Sequence, residues 1–281
     1  MAEGNPRATR AAIHLLLVDA LNLIRRVYAA QPGEDGPQRA AEARESSCLS
    51  LRRALREAGP THAVVIFEGS GTTWRHAAFA GYKAGHKPMP EALQHALPTF
   101  REAFAEMGVP SFDTPGAEAD DVIATLAAKV AVAGGKATIL STDKVFQQLV
   151  SPSIRVRDHF QKRDFGRQKV IERFGVPPSQ LVDLLGLAGD STNAIRGVPG
   201  IGLKTGAQLI SDFGSLDWTL AAAAGDSELD EDLPAIRPRL ADKLVEHADE
   251  ARLAQSLVRL QTDLELGLRL STLRYTRRTR N

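Results

Sequence analysis

Three acidic residues each follow an apolar run: Asp19 after LLLV, Glu68 after AVVIF and Asp143 after TILST. A further stretch, GAEADD, places Glu118, Asp120 and Asp121 at the start of a helical pattern. If the apolar runs are parallel strands, each strand-end acid lies at a carboxyl end, the edge of an open α/β sheet where ligands bind. Six carboxylates at one edge repel one another unless a hard cation neutralises them. All-oxygen ligation suits Mg²⁺ or Mn²⁺. The competing reading of Glu118, Asp120 and Asp121 is compensation of a helix dipole, because acids are favoured in a first turn. The coincidence of strand-end acids with an acidic helix start favours a metal centre.

Elements able to position these acids follow from the hydrophobic pattern. Buried strands are expected at His14–Val18, Ala63–Phe67, Ala137–Leu140 and Ile154–Arg157. Helical patterns alternate with them over Ala40–Ala58, Glu91–Met107 and Glu118–Ala133. The last carries Val122, Ile123, Leu126 and Val130 on one face and stops at Gly134–Gly135. Such alternation implies an α/β fold, a mainly parallel central sheet with flanking helices. Beyond about residue 165 only helical patterns remain: Lys169–Phe174, Ser179–Leu187, Lys204–Phe213, Trp218–Ala223 and Leu240–Leu260. The acidic, proline-containing stretch Gly225–Pro238 is expected to be a loop. The organisation expected is an N-terminal extension over 1–12, an α/β domain over 13–165 and a helical domain over 166–281.

Bulk composition narrows the class. The chain has 281 residues, 43% hydrophobic and 25% charged, ordinary values for a globular protein. One cysteine, Cys48, excludes a disulfide framework and a cysteine-rich zinc site and suits a reducing compartment. There is no apolar run of membrane-spanning length, and the HLLLV run is too short for a signal peptide, so a cytoplasmic protein with no membrane role is expected. A net charge of +1 means that any nucleic-acid contact must come from local patches. The basic tail RYTRRTR and the turn HFQKR read equally as solvated segments or phosphate contacts. His14, His62 and His76 lack metal-ligand spacing, and Trp74 reads as packing. A doubly wound nucleotide enzyme lacks its glycine-rich turn, since DALNLIRR follows the first strand.

The stretch LAGDSTNAIRGVPGIGLKTG, Leu187–Gly206, resembles a phosphate loop but fails the pattern. Gly197 and Gly202 have the spacing, yet Leu203 stands where lysine belongs and Lys204 comes one position late. A helix precedes the loop and a helix follows it. Glycines allow the tight turn, and free N–H groups near Leu203 present a site for an anion. Helix, hairpin, helix and Lys204 suit a nucleic-acid phosphate held without base reading.

The ordered set LLLVDALNLIRR, WRH and YKAG-x-K-x-MP (Trp74–Pro90), GAEADD, STDK-x3-QLV and GVPGIGLKTG resembles the bacterial 5′-nuclease family. It is closest to the stand-alone, exonuclease IX-type flap endonucleases, and the likeness runs from about Ile13 to Leu266. The resemblance implies a PIN-like nuclease core, a helix-hairpin-helix at about 181–213 and an arch at about 80–105. It implies cleavage of DNA at 5′ flaps or junctions by a Mg²⁺-dependent monomer, with Mn²⁺ able to substitute. It assigns the Mg²⁺ site to Asp19, Glu68, Glu118, Asp120, Asp121 and Asp143, with Asp120 the strongest ligand. Arg75 and Lys83 would stabilise charge on the scissile phosphate, and Tyr82 and Lys83 would form the arch base. A K⁺ would lie on the backbone carbonyls of Leu187, Ala188, Arg196, Val198 and Ile201. Gly200, Ile201, Gly202, Leu203, Lys204 and Thr205 would contact DNA.

The departures concern a second metal. Members with a complete second site carry an acid where this chain has Val145, and another where it has Asn193. Asp190 alone remains of that set, as a residual second site. Glu68 replaces a shorter aspartate, and Arg196 a proline. A non-catalytic flap or junction binder with a decayed centre is the alternative, and a PIN-like ribonuclease the third reading. Dependence of product on Asp120 separates the first from the second, and RNA competition the third.

Overall fold

The computed structural model describes residues 12–225 and 233–276. Residues 1–11 of the expected extension, the acidic stretch 226–232 and residues 277–281, which include the last four of the basic tail, lie outside the described residues. One sheet has the order β3-β2-β1-β4-β5-β6. Its strands are β1 (His14–Asp19), β2 (His62–Ile66), β3 (Ser111–Phe112), β4 (Lys136–Leu140), β5 (Ile154–Asp158) and β6 (Arg163–Phe165). All neighbours are parallel except β5 and β6. In the central register Leu17 lies beside Val64 on one side and Ile139 on the other.

The two faces sort by the strand period of two. Leu16, Val18, Ala63 and Val65 face α1 (Ala20–Ala30), α2 (Pro37–Ala58) and α4 (Glu91–Glu106). Leu15, Leu17, Val64, Ile66 and Ile139 face α5 (Ala119–Val132) and the helical half. Both faces are covered, which is why β1 reads as an unbroken apolar run. A short helix α3 (Trp74–Ala78) follows β2.

The helical half holds α6 (Arg167–Phe174), α7 (Leu181–Ala188), α8 (Leu203–Phe213), α9 (Leu216–Ala223), α10 (Pro238–Glu246) and α11 (Ala248–Val258). Its apolar residues, among them Leu184, Leu187, Ile210 and Leu257, belong to the same core as the α5 face of the sheet. Among the described residues no helix is long and apolar enough to cross a membrane.

The expected strands are all present, and two short ones are added. β6 reads RDF, too charged for a buried-strand pattern; it pairs at the edge, where Arg157 holds Asp164 at 2.8 Å. The expected helix Leu240–Leu260 is two helices broken at His247 (φ −110°, ψ 26°). Asp249 and Glu250, in the first turn of α11, were the legible sign of a second start. The expected arch also changes. Residues 80–85 form turns beside the acidic edge, but α4 is core: Leu93, Phe100 and Phe104 are fully buried against the α2 face. Phe100→Ala should therefore cost about 3–5 kcal/mol of stability, read by urea denaturation. Unchanged stability would mean that α4 detaches as a free arch.

Candidate active site

The carboxyl ends of β1 and β4 deliver two acids. Asp19 closes β1 and caps α1, its Oδ1 accepting from the Asn22 amide at 3.1 Å. Ser141 Oγ donates to Asp19 Oδ2 at 2.9 Å. Asp143 caps the 3-10 turn Lys144–Leu149, accepting from the Val145 amide at 2.9 Å. Glu68, beyond β2, accepts from the Ala119 amide at 2.6 Å and so sits on the start of α5. Glu118, Asp120 and Asp121 occupy the N-cap and first turn of the same helix. The six acids are thus gathered around one sheet edge and one helix start.

They divide by what neutralises them. Asp121 turns inward and is held by Arg75, with Nη1 to Oδ2 at 2.6 Å and Nη2 to Oδ1 at 2.8 Å. The Gln261 amide adds a third bond to Asp121 at 2.9 Å. Glu118 accepts from Thr73 Oγ1, Tyr82 Oη and Lys83 Nζ at 3.0, 2.9 and 3.1 Å. Burial alone would raise the Glu118 carboxyl, but the charges of Lys83 and Arg75 and the bonds from Lys83 and Tyr82 hold it below its usual value. Burial likewise works against the charged forms of Arg75 and Lys83, and carboxylates override it in both. Asp121 and Glu118 raise Arg75; Glu68, Asp120 and Glu118 raise Lys83.

Asp19, Asp120 and Asp143 form the second set. Among the described residues none of the three is in an ion pair. Burial is the first cause that raises all three, and like charges add to it: Asp143 and Glu68 on Asp19, Asp19, Asp143 and Glu68 on Asp120, and Asp190 on Asp143. Asp120 is lifted well above the ordinary carboxylate value and Asp19 to about 7. In this arrangement no group of three or more acids, histidines and cysteines stands in ligating geometry among the described residues. A divalent cation would still relieve this repulsion, and oxygen donors suit a hard ion. On that ground the chemistry of these three residues fits a metal, while Glu68, Glu118 and Asp121 of the expected six-acid set are engaged by the chain itself.

The geometry also redirects Arg75 and Asp190. Arg75 is 1% exposed; beyond Asp121 it donates to the carbonyls of Leu257 at 2.7 Å and Arg259 at 2.9 Å. Expected at the scissile phosphate, it is instead locked inside the protein, with Trp74 against its guanidinium. Asp190, expected as a residual metal ligand, is 1% exposed and committed to Lys144 Nζ (2.7 Å), the Thr192 amide (3.1 Å) and Asn193 Nδ2 (2.8 Å). The turn holding Tyr82 and Lys83 docks on this segment: the Lys83 amide donates to Asn193 O at 3.0 Å, and His86 Nε2 lies 2.9 Å from Thr192 O. Lys83 adopts φ +56° to do so.

The hairpin follows from two glycines packed backbone to backbone. A Cβ on Gly197 would lie 2.3 Å from Leu187 O, and one on Gly189 2.5 Å from the Gly197 nitrogen. Leu187 O accepts from Val198 N at 2.8 Å, and Val198 O from Ile201 N at 3.0 Å. Ile201 is buried, while Gly200, Gly202, Leu203 and Lys204 are exposed and Thr205 is half-buried. The start of α8 has no side-chain cap, so its first N–H groups face outward. Sequence reasoning missed Lys243, whose Nζ on α10 lies 3.4 Å from Pro199 O. Nothing in the local pattern of α10 pointed to a residue more than 40 positions away. Since Arg75 is buried and fully bonded, Arg75→Gln should lower stability by about 3–5 kcal/mol through the orphaned Asp121 charge, read by thermal and urea unfolding. Wild-type stability with a loss of activity alone would return Arg75 to the chemistry.

Comparisons with known proteins agree with this architecture. The 5′-3′ exonuclease N-terminal resolvase-like domain matches residues 14–175, and the 5′-3′ exonuclease C-terminal SAM fold matches residues 176–281. A bacteriophage T5 protein co-crystallised with metal ions is 20% identical, with a TM-score of 0.70 over 87% of this chain and 88% of that one. A bacteriophage T5 flap endonuclease, in a pseudo-enzyme-product complex with DNA and metal ions, gives 20% and 0.69 over the same shares. The catalytic core of Rad2 in complex with DNA substrate is 16% identical, with a TM-score of 0.57 over 90% of this chain and 81% of that one. At these identities the solved structures speak to the fold, and the family matches to descent. The chain belongs to the 5′-3′ exonuclease family, metal-dependent nucleases that act on DNA phosphodiester bonds.

Proposed function

We propose that this nuclease is a structure-specific 5′ flap endonuclease of the stand-alone exonuclease IX type, acting as a cytoplasmic monomer on flaps such as those left by displacement synthesis. One observation carries the reading. Asp19, Asp120 and Asp143 repel one another at a sheet edge, and Lys83 stands beside them on a turn anchored to the segment that leads into the glycine hairpin.

In this reading Asp120 would be the direct ligand of Mg²⁺, and Asp19 and Asp143 would complete the protein's share. When bound, the ion supplies Lewis acidity toward a phosphoryl oxygen and lowers the pKa of an attacking water. Glu68 and Glu118 act through Lys83, which they hold at 3.4 and 3.1 Å. Lys83 in turn offers its ammonium to the scissile phosphate. Tyr82 keeps Glu118 in place through its hydroxyl. Gly200–Thr205 hold a duplex phosphate through backbone N–H groups and Lys204. A K⁺ on the carbonyls of Leu187, Ala188, Arg196, Val198 and Ile201 would stiffen that grip. A non-catalytic junction binder is the second reading, favoured by the commitment of Asp190 to Lys144.

The decisive experiment is cleavage of a 5′-flap DNA across a Mg²⁺ and Mn²⁺ titration, with Asp120→Ala beside the unaltered protein. Asp120→Ala should lose on the order of 10²-fold or more in rate. Undiminished cleavage would overturn the assignment, and flap binding without Asp120-dependent product would select the binder.

The raised acids give a pH signature. Asp19 titrates at about 7 in the folded chain, above its ordinary 3.8. A raised folded value means that its contribution to stability is complete below the unfolded value and is lost as pH rises toward and through 7. The metal-free protein should therefore lose thermal stability between about pH 4 and 7 from this group. Mg²⁺ binds the ionised form, so its stabilising shift in melting temperature should be larger at pH 8 than at pH 6. An equal shift at both values, measured against EDTA controls, would exclude these acids as the binding group.

A further inference from the structure

The site around Asp190 does not fit a second divalent ion. Its Oδ1 takes an ammonium and an amide, its Oδ2 takes the Asn193 amide, and only 1% of the residue is exposed. The neighbouring Val145 is part of the hydrophobic core, so nothing at that position can turn outward as a ligand. A cation is nevertheless already present, and it is Lys144. Its ammonium lies 2.7 Å from Asp190 on a side chain that is 22% exposed, one residue beyond Asp143 at the acidic edge. Asp143 feels both charges, Asp190 raising its carboxyl and Lys144 lowering it. An ammonium has three donors; among the described residues only Asp190 is bonded to this one.

We infer that Lys144 is a built-in cation: it neutralises buried Asp190 from within the chain and offers its free N–H donors to a phosphate oxygen of the DNA strand at the acidic edge. The arrangement is specific in two ways. Asn193 donates to Asp190, where an aspartate would face it with a like charge at the same 2.8 Å. Lys144 is also fixed by an ion pair to a buried partner, so its head group stays at the edge rather than sweeping through solvent. This inference rests on the DNA-cleaving reading above, and its test separates the two.

Four variants suffice: Lys144→Gln, Lys144→Arg, Asp190→Asn and the double Lys144→Gln/Asp190→Asn. Each is read for melting temperature, for flap-DNA affinity as a function of salt, and for kcat and KM on the flap substrate. Lys144→Gln should melt lower, because it leaves Asp190 buried and unpaired. The double variant should regain the melting temperature, since no unpaired charge remains. It should nonetheless keep a kcat reduced on the order of 10²-fold, the usual cost of removing one donor to developing charge. Its salt dependence of log K should be shallower by about one counterion. Lys144→Arg and Asp190→Asn, which keep a cation, should keep the salt slope. A double variant with recovered stability, kcat within threefold of the unaltered protein and an unchanged slope would reduce Lys144 to a counterion and overturn the inference. An unaltered protein that neither binds nor cuts flap DNA would instead sink the flap reading and this inference with it. Binding without cutting leaves the salt slope to decide for or against Lys144.

Discussion

The arrangement hangs on one buried ion pair. Arg75 and Asp121 meet through two short bonds inside the protein, and the remaining guanidinium donors reach the carbonyls of Leu257 and Arg259. Such a pair contributes little net stability over apolar residues of the same size, but breaking it exposes the full desolvation cost of the survivor. Its value is positional. It ties α3, the first turn of α5 and the segment after α11 to one point. That point sets where Glu118 and Asp120 stand, since all three acids share one helix turn. The Gln261 amide, on the same carboxylate, brings the chain after α11 into the core beside the acidic edge.

Charge then divides along the helix. Asp121 faces the interior and is neutralised by the chain. Glu118 and Glu68 lie at the boundary and share Lys83. Among the described residues Asp120, Asp19 and Asp143 are left without an ion-pair partner, and their raised protonation is the mark of that debt. The edge is therefore graded from fully paired to unpaired over a few residues. The charge that the chain itself leaves uncompensated is thus concentrated at one end of the edge.

Much of this was legible in the sequence. The strand-end acids could be placed because parallel strands buried on both faces read as continuous apolar runs, as LLLV does. The hairpin could be placed because close backbone packing demands glycine, at Gly189 and Gly197 above all. What could not be read was partnership. Nothing in WRH says that Arg75 will find Asp121, 46 residues on. Nothing in STDK says that Lys144 will reach Asp190. Long-range ion pairs depend on which way a side chain turns from its helix, and spacing alone cannot settle that. Asp120 and Asp121 are adjacent, and the helix sends one to the edge and the other to the core. The same limit hid Lys243 and made α4 read as part of an arch: Leu93, Phe100 and Phe104 give an apolar stripe, but not the surface it lands on.

The docking of the Lys83 turn on residues 192 and 193 has a wider consequence. The bond from the Lys83 amide to Asn193 O is main chain to main chain. It carries no side-chain identity, so drift in sequence on either side leaves it intact. Lys83, which stands between Glu68 and Glu118, and the segment leading into the hairpin thus share a hinge pin written in backbone. A shift of the 192–193 segment reaches the Lys83 backbone without an intervening side chain. The placement of the Lys83 ammonium beside Glu68 and Glu118 is in this way geared to the backbone of the segment that leads into the hairpin, whatever side chains that segment carries.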